Sequence, residues 1–309
     1  MTGHTQKEPI FAAWLVFCIF TMKYQDSFSV LLGVCMFVLA GCQKQEEAPV
    51  VQGKHVLTLE ATKGAQTKAL SLSEGVLNAT WNNGEQVAVF NGSKFLGNLT
   101  AAVDQDGASK ATLSGELIYA GDADMVKDTK LSLLFPRSEW DYRNQDGSLS
   151  GIASNYDYST SQVELDEDDV TYLSSRKKVS FTPEQSIYLF TFNGGALSVK
   201  SFTLSSSKNK LVEKRKYYSK WTSTCNPITV SRETASKDGF YVALRNENTT
   251  QDDTYSFTVA GKNNAVYSGS KNVAASYLGN GKFLSADVTV AQDQITILPG
   301  TLSTSENVL

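Results

Sequence analysis

The sequence predicts an all-β protein built from two tandem β-sandwiches, and three observations carry that expectation. From Lys54 onward, apolar residues alternate with polar ones at period two, in runs rich in β-branched and aromatic side chains. Turn formers punctuate the runs at Asn82-Asn83-Gly84, Asn91-Gly92, Asp106-Gly107, Asp146-Gly147, Asn193-Gly194-Gly195, Asp238-Gly239 and Asn280-Gly281. No stretch of this region sustains an amphipathic helical stripe for three turns.

The chain opens differently. An apolar run from Phe28 to Ala40 ends in Leu39-Ala40-Gly41-Cys42 and gives way to the polar Gln43-Lys44-Gln45-Glu46-Glu47. At roughly 13 residues the run is too short for the ~20 that a membrane-spanning helix needs. A short apolar segment with small residues just before a cysteine resembles the lipobox of a bacterial lipoprotein signal peptide. That resemblance implies cleavage before Cys42 and a diacylglycerol on its sulfur. Acyl chains contribute about 0.8 kcal/mol per buried CH₂, so two of them anchor a protein without a spanning helix. Residues 1–41 are therefore a signal region. It holds a second apolar run, Ile10 to Phe20, and Met22-Lys23 followed by the later run forms a signal peptide by itself, which sets the expected translation start at Met22.

Residues 42–53 read as a tether without hydrophobic periodicity. Its acidic pair Glu46-Glu47 resembles the charged tags that direct some lipoproteins to the outer face of the outer membrane, and a solvated spacer is the alternative. Alternating strands are then predicted at Val56 to Ala61, Gln86 to Phe90 and Ala111 to Gly115, with a more continuous apolar run at Lys130 to Phe135. Further strands follow at Ile187 to Phe192, Leu197 to Leu204, Phe240 to Leu244, Tyr255 to Val259 and Phe283 to Val290. Composition shifts at the charged stretch Glu164 to Lys178, which places an N-terminal sandwich at 54–177, a C-terminal one at 178–298 and a tail at 299–309.

Composition limits the chemistry. The formal net charge of −4 is unchanged by removing residues 1–41, where Lys7 and Lys23 balance Glu8 and Asp26. Mild acidity argues against a nucleic-acid partner. Beyond Cys42 the chain has one cysteine, Cys225, so it carries neither a disulfide framework nor a cysteine metal site. It has one histidine there, His55, on which any Ser-His-Asp arrangement would have to be built. Asp104-Gln105-Asp106-Gly107 and Asn144-Gln145-Asp146-Gly147 resemble calcium loops, but their twelfth positions hold Gly115 and Asn155 where a bidentate glutamate is needed. The expectation is a non-enzymatic protein without metal or other cofactor.

One stretch combines cations with aromatic rings. Lys208 to Trp221 gathers Lys214, Arg215, Lys216 and Lys220 around Tyr217, Tyr218 and Trp221. Such a surface suits an acidic glycan of host or dietary origin through ion pairing and stacking. The alternative is a hairpin whose aromatics pack on their own protein.

Several motifs together carry a resemblance. Thr67-Lys68-Ala69, Thr80-Trp81-Asn82-Asn83-Gly84-Glu85-Gln86-Val87-Ala88-Val89 and Ile152-Ala153-Ser154-Asn155-Tyr156-Asp157-Tyr158 stand in order behind the lipobox. With Ser186 to Phe190, Tyr255 to Val259 and Asn280 to Phe283, they resemble the fimbrillin-like lipoproteins. The resemblance implies two transthyretin-like β-sandwiches, a cell-surface location and, for some members, assembly into a pilus with other fimbrial subunits. In that assembly a protease removes the first strand, and a strand of another subunit fills the groove. The exchangeable strand would hold Val56 and Thr58 on one face and Leu57 and Leu59 on the other. The family's cut commonly follows an arginine, and this chain has none before Arg137. Lys68 stands nearest that position, as a cleavage site or as an ordinary loop lysine.

Overall fold

The computed structural model describes residues 52–63, 71–73, 76–120, 126–166, 177–193, 197–247, 249–262, 265–291 and 294–297. The signal region, tether residues 42–51 with Cys42, Lys68 and the tail 299–309 lie outside the described residues, while Gln52 and Gly53, expected in the tether, already belong to the first strand. Nearly all regular structure is β, as the alternation predicts.

The first body contains β1 (Gln52–Lys63), β2 (Ser71–Ser73), β3 (Val76–Asn78), β4 (Gln86–Asn91), β5 (Lys94–Ala102) and β6 (Lys110–Ala120). It continues with β7 (Lys130–Phe135), β9 (Ser159–Glu164) and β10 (Lys178–Pro183), while β8 (Glu139–Asp141) pairs elsewhere. Strand pairing closes a barrel in the order β1-β10-β9-β7-β4-β5-β6, and β2 and β3 form a separate small hairpin. Period two sets the interior. Leu57, Leu59 and Ala61 of β1 are buried while Val56 is half exposed. Trp81 sits at the centre, edge-on to Phe135 and Phe181 with both ring centroids at 5.5 Å. The Asn91-Gly92 turn joins β4 to β5, with Gly92 at φ +56°, a conformation in which a side chain is strained.

Gly115 shows how tightly this wall is made. A Cβ there would overlap the carbonyl oxygen of Asn98 and press on the backbone of Leu99, neither of which can swing aside. Gly115→Ala is therefore expected to destabilise the protein by about 2–3 kcal/mol, read as a lower urea midpoint at unchanged slope.

The second body is a sandwich. Its strands are β11 (Ser186–Asn193), β12 (Val199–Ser206), β15 (Ile228–Ser236), β16 (Phe240–Leu244), β17 (Asp253–Gly261), β18 (Val266–Val273), β19 (Phe283–Ala291) and β20 (Gln294–Ile297). They form one sheet in the order β16-β11-β19-β20 and another in the order β15-β12-β17-β18. Phe190, Phe192, Phe202, Phe240 and Phe257 fill the space between the sheets at centroid separations of 5.2 to 5.8 Å. A third sheet joins β13 (Val212–Tyr217), β14 (Trp221–Cys225) and β8.

A linear division at 177/178 does not follow these bodies. β10, which begins the predicted second sandwich, completes the first barrel by pairing with both β1 and β9. Conversely Trp140, Tyr142, Ile152 and Tyr158, which precede the division, belong to the sandwich core. The charged stretch is an excursion between two neighbouring barrel strands, so composition marked a loop and not a domain linker. The real crossing is Glu184-Gln185, of which Gln185 is fully buried. There Glu184 N–H donates to the Tyr158 carbonyl at 2.9 Å, and Gln185 Oε1 accepts from Tyr158 N–H at 3.1 Å. Residues 51–309 accordingly form one compact unit.

Two polar side chains substitute for missing backbone partners. Gln145 donates to the carbonyls of Tyr142 and Ala243 and accepts from Ala243 N–H, all at 2.8 to 2.9 Å, which ties the β7–β9 excursion to β16. The same excursion holds the short helix α1 (Leu149–Asn155), whose Ser148 cap accepts from Gly151 N–H. Asp253 is buried at the start of β17 and accepts from Ser206, Ser207 at 2.8 Å and Thr254 N–H at 2.7 Å. Burial alone would raise its carboxyl pKa, but these hydrogen bonds outweigh it and hold the pKa below the usual range. A carboxylate depressed in the folded state stabilises fully above its unfolded pKa of about 3.9, and that contribution is lost as pH falls through the folded value. Stability should therefore drop on acidification below pH ~4, and the drop should be shallower in Asp253→Asn.

Candidate functional site

The first strand is paired unequally on its two sides. β1 pairs antiparallel with β6 along eleven positions, from Gln52↔Ala120 to Thr62↔Lys110. On its other side it pairs in parallel with β10 at four positions only, Glu60↔Lys178 to Lys63↔Phe181. The candidate residues fall as the alternation requires, Leu57 and Leu59 inward, Val56 and Thr58 outward. Thr58 Oγ1 lies 3.0 Å from Ser114 Oγ on the outer face, and His55 stands opposite Leu117. Burial pushes the His55 imidazole pKa down.

The inward series 57, 59, 61 continues to Lys63, which the sequence reading passed over. Its ammonium has no solvent exposure. It donates to Glu85 Oε2 at 2.6 Å and to the Thr80 carbonyl at 2.9 Å. It also lies 4.1 Å from the centroid of Trp81 and 4.2 Å from that of Phe135. A lysine is rarely fully buried unless paired, and here ion pair, carbonyl and aromatic faces together replace water. The available signal was its parity, since Lys63 is the cation on the apolar face of the first strand.

The cationic hairpin β13–β14 sits beside the barrel. Tyr217 packs edge-on to Phe90 at 5.3 Å and shares a 3.1 Å hydrogen bond with Ser132, both on the outer barrel wall. Trp221 contacts Trp140 at 4.0 Å and Tyr217 at 5.2 Å. This covering explains why Val87 to Phe90 are buried without alternation. Arg215 lies 4.4 Å over Trp221, 2.9 Å from Glu184 and 4.0 Å from Glu247, while Arg245 pairs with the same Glu184. Burial, then the neighbouring Arg245, pulls the Arg215 pKa down. Arg215, Tyr217 and Trp221 thus face inward partners. Lys214 reaches Asp141 at 3.9 Å, Lys216 pairs with Glu139, and Tyr218 is half exposed under Lys216 at 4.7 Å. The carboxyl of Asp141 is held below its usual range, chiefly by the hydrogen bond from Arg143.

Between the hairpin and the β7–β9–β10 wall runs a groove of about 560 Å³, lined by Thr160, Gln162, Ser180, Thr182, Tyr217 and Trp221. The aspartates of the calcium-like loops serve turns. Asp106 accepts from Asn83 N–H at 2.7 Å, and Asp146 accepts from Ser148 N–H at 2.8 Å. Among the described residues no group of three or more His, Cys, Asp or Glu gathers as metal ligands.

No family model matches the chain, and no curated protein does. Among solved structures it is similar to a protein ascribed to cell adhesion from Bacteroides uniformis, at 14% identity and a TM-score of 0.46, covering 82% of this chain and 98% of that one. It is similar to the tip fimbrial protein Mfa3 from Porphyromonas gingivalis, at 9% identity, a TM-score of 0.40 and coverage of 82% and 99%. It is also similar to a fimbrial assembly protein from Parabacteroides distasonis, at 10% identity, a TM-score of 0.37 and coverage of 82% and 100%.

Proposed function

We propose that this chain is a cell-surface fimbrillin-like protein with a role in adhesion, carried to the outer membrane by lipid on Cys42 and, once its first strand is cut away, assembled with other fimbrial subunits by β-strand exchange. The observation that carries the reading is the place of β1. It is the first strand after the tether, it fills a barrel wall between β6 and β10, and residues 64–70, which hold Lys68, are its only covalent link to the rest of the barrel. A cut there would leave a strand held by hydrogen bonds, the apolar side chains of Leu57, Leu59 and Ala61, and the Lys63–Glu85 ion pair. Its loss would open a groove with two free edges, the setting in which an added strand gains both main-chain bonds and side-chain pockets.

The test uses the full chain with a site-specific protease sequence in place of residues 65–69. The reading expects heat-resistant oligomer ladders after cleavage, and none before it, when the chain is produced together with the other fimbrial subunits. A cleaved chain that stays monomeric and keeps its first strand would overturn it. A second reading, a surface protein that binds a glycan, is favoured by the hydroxyl-lined groove beside Tyr217 and Trp221. It expects glycan-dependent melting that Lys220→Ala weakens, since Lys220 is the cation lining that groove, without oligomers.

A further inference from the structure

The groove that β1 fills is not uniformly apolar. Going inward along the strand it offers a pocket for Leu57, one for Leu59, a narrow place for Ala61 and then the fully buried site of the Lys63 ammonium. That last site is built by residues that stay behind if β1 leaves: the Glu85 carboxylate, the Thr80 carbonyl and the faces of Trp81 and Phe135. Glu85 is itself only 9% exposed at its side chain, and its Oε1 is buried without a hydrogen-bond partner. An apolar side chain in place of Lys63 would leave that carboxylate buried without its cation, which is costly.

We infer that the groove is selective for a donor strand that carries a lysine or arginine at the Lys63 site, behind two large apolar residues and a small one at alternate positions. This rests on the strand-exchange reading above. The selectivity follows from complementary charge in a site without water, where a matched cation restores every partner and a neutral residue strands Glu85. Residues 283–309 hold no lysine or arginine and do not meet that requirement. The spacing recurs at Phe202, Leu204, Ser206 and Lys208, but Phe202 and Leu204 are core residues of a central strand and are unavailable for donation.

The experiment uses the full chain, cleaved within residues 65–69 so that β1 remains in place without a covalent link. Three labelled peptides compete for its position: residues 52–63 as they stand, the same peptide with norleucine at the Lys63 position, and residues 283–309. The lysine peptide should be captured at least ~10-fold more tightly than the norleucine peptide, and residues 283–309 should not be captured. In a Glu85→Gln chain the preference for lysine should shrink. Equal capture of the lysine and norleucine peptides would overturn the cation selectivity while leaving strand exchange intact. Strong capture of residues 283–309, which hold no lysine or arginine, would also overturn the cation selectivity. Failure of every peptide to enter, the native one included, would bring down strand exchange itself and this inference with it. The comparison of the first two peptides uses the unsubstituted barrel, so it does not depend on whether the Glu85 variant folds.

Discussion

Lys63→Met is expected to cost the protein about 3–5 kcal/mol, because it removes one partner of a buried ion pair and leaves the other behind. Methionine keeps the length of the aliphatic stem and its contact with Trp81 and Phe135, so the loss reports the charge and not a cavity. The Glu85 carboxylate and the Thr80 carbonyl would both lose a donor in a site closed to water. Adding Glu85→Leu should recover most of the loss, since a buried pair replaced on both sides by apolar groups is often close to neutral. Urea denaturation of the two single variants and the double variant closes the cycle. A double variant as unstable as Lys63→Met would show that the pair is not the source.

Glu184→Ala should be of similar size, about 3–5 kcal/mol, and should be felt where the barrel meets the sandwich. Glu184 receives Arg215 at 2.9 Å through Oε2, is paired with Arg245 through the same oxygen, and accepts from Thr160 at 2.7 Å through Oε1. Both guanidiniums have side chains only 10% exposed, and the Arg215 pKa is already pulled down by burial and by Arg245 beside it. Removing the carboxylate leaves two adjacent positive charges facing one another. Arg215 would shift from its place over Trp221, 4.4 Å away, so tryptophan fluorescence should change in the native state as well as the denaturation midpoint. Adding Arg245→Met should restore part of the stability by removing the like-charge neighbour.

The class of fold was legible because period two is a local property. The alternation in Val56 to Ala61 put Leu57 and Leu59 on one face and Val56 and Thr58 on the other, and the barrel turns the leucine face inward. Pairing was less legible, since nothing local says that Lys178 to Pro183 returns to lie between the first and ninth strands. The charged stretch before it read as a boundary because solvated loops and linkers share a composition. The cationic hairpin was visible as a cluster, but its orientation was not. Whether Arg215 and Trp221 face solvent depends on Glu184, Trp140 and Glu247, which lie 26 or more residues away in sequence. Lys63 was legible in principle and was missed because attention fell on Lys68, five residues on.

The most direct test of the account is the intact mass and N-terminal sequence of the protein recovered from assembled surface fibres, run beside a Cys42→Ala variant. The account predicts fibre subunits that begin at or near Ala69 and carry no lipid, with the Cys42→Ala chain unprocessed and absent from fibres. Fibre subunits that begin at a diacylated Cys42 and still hold residues 52–63 would contradict it.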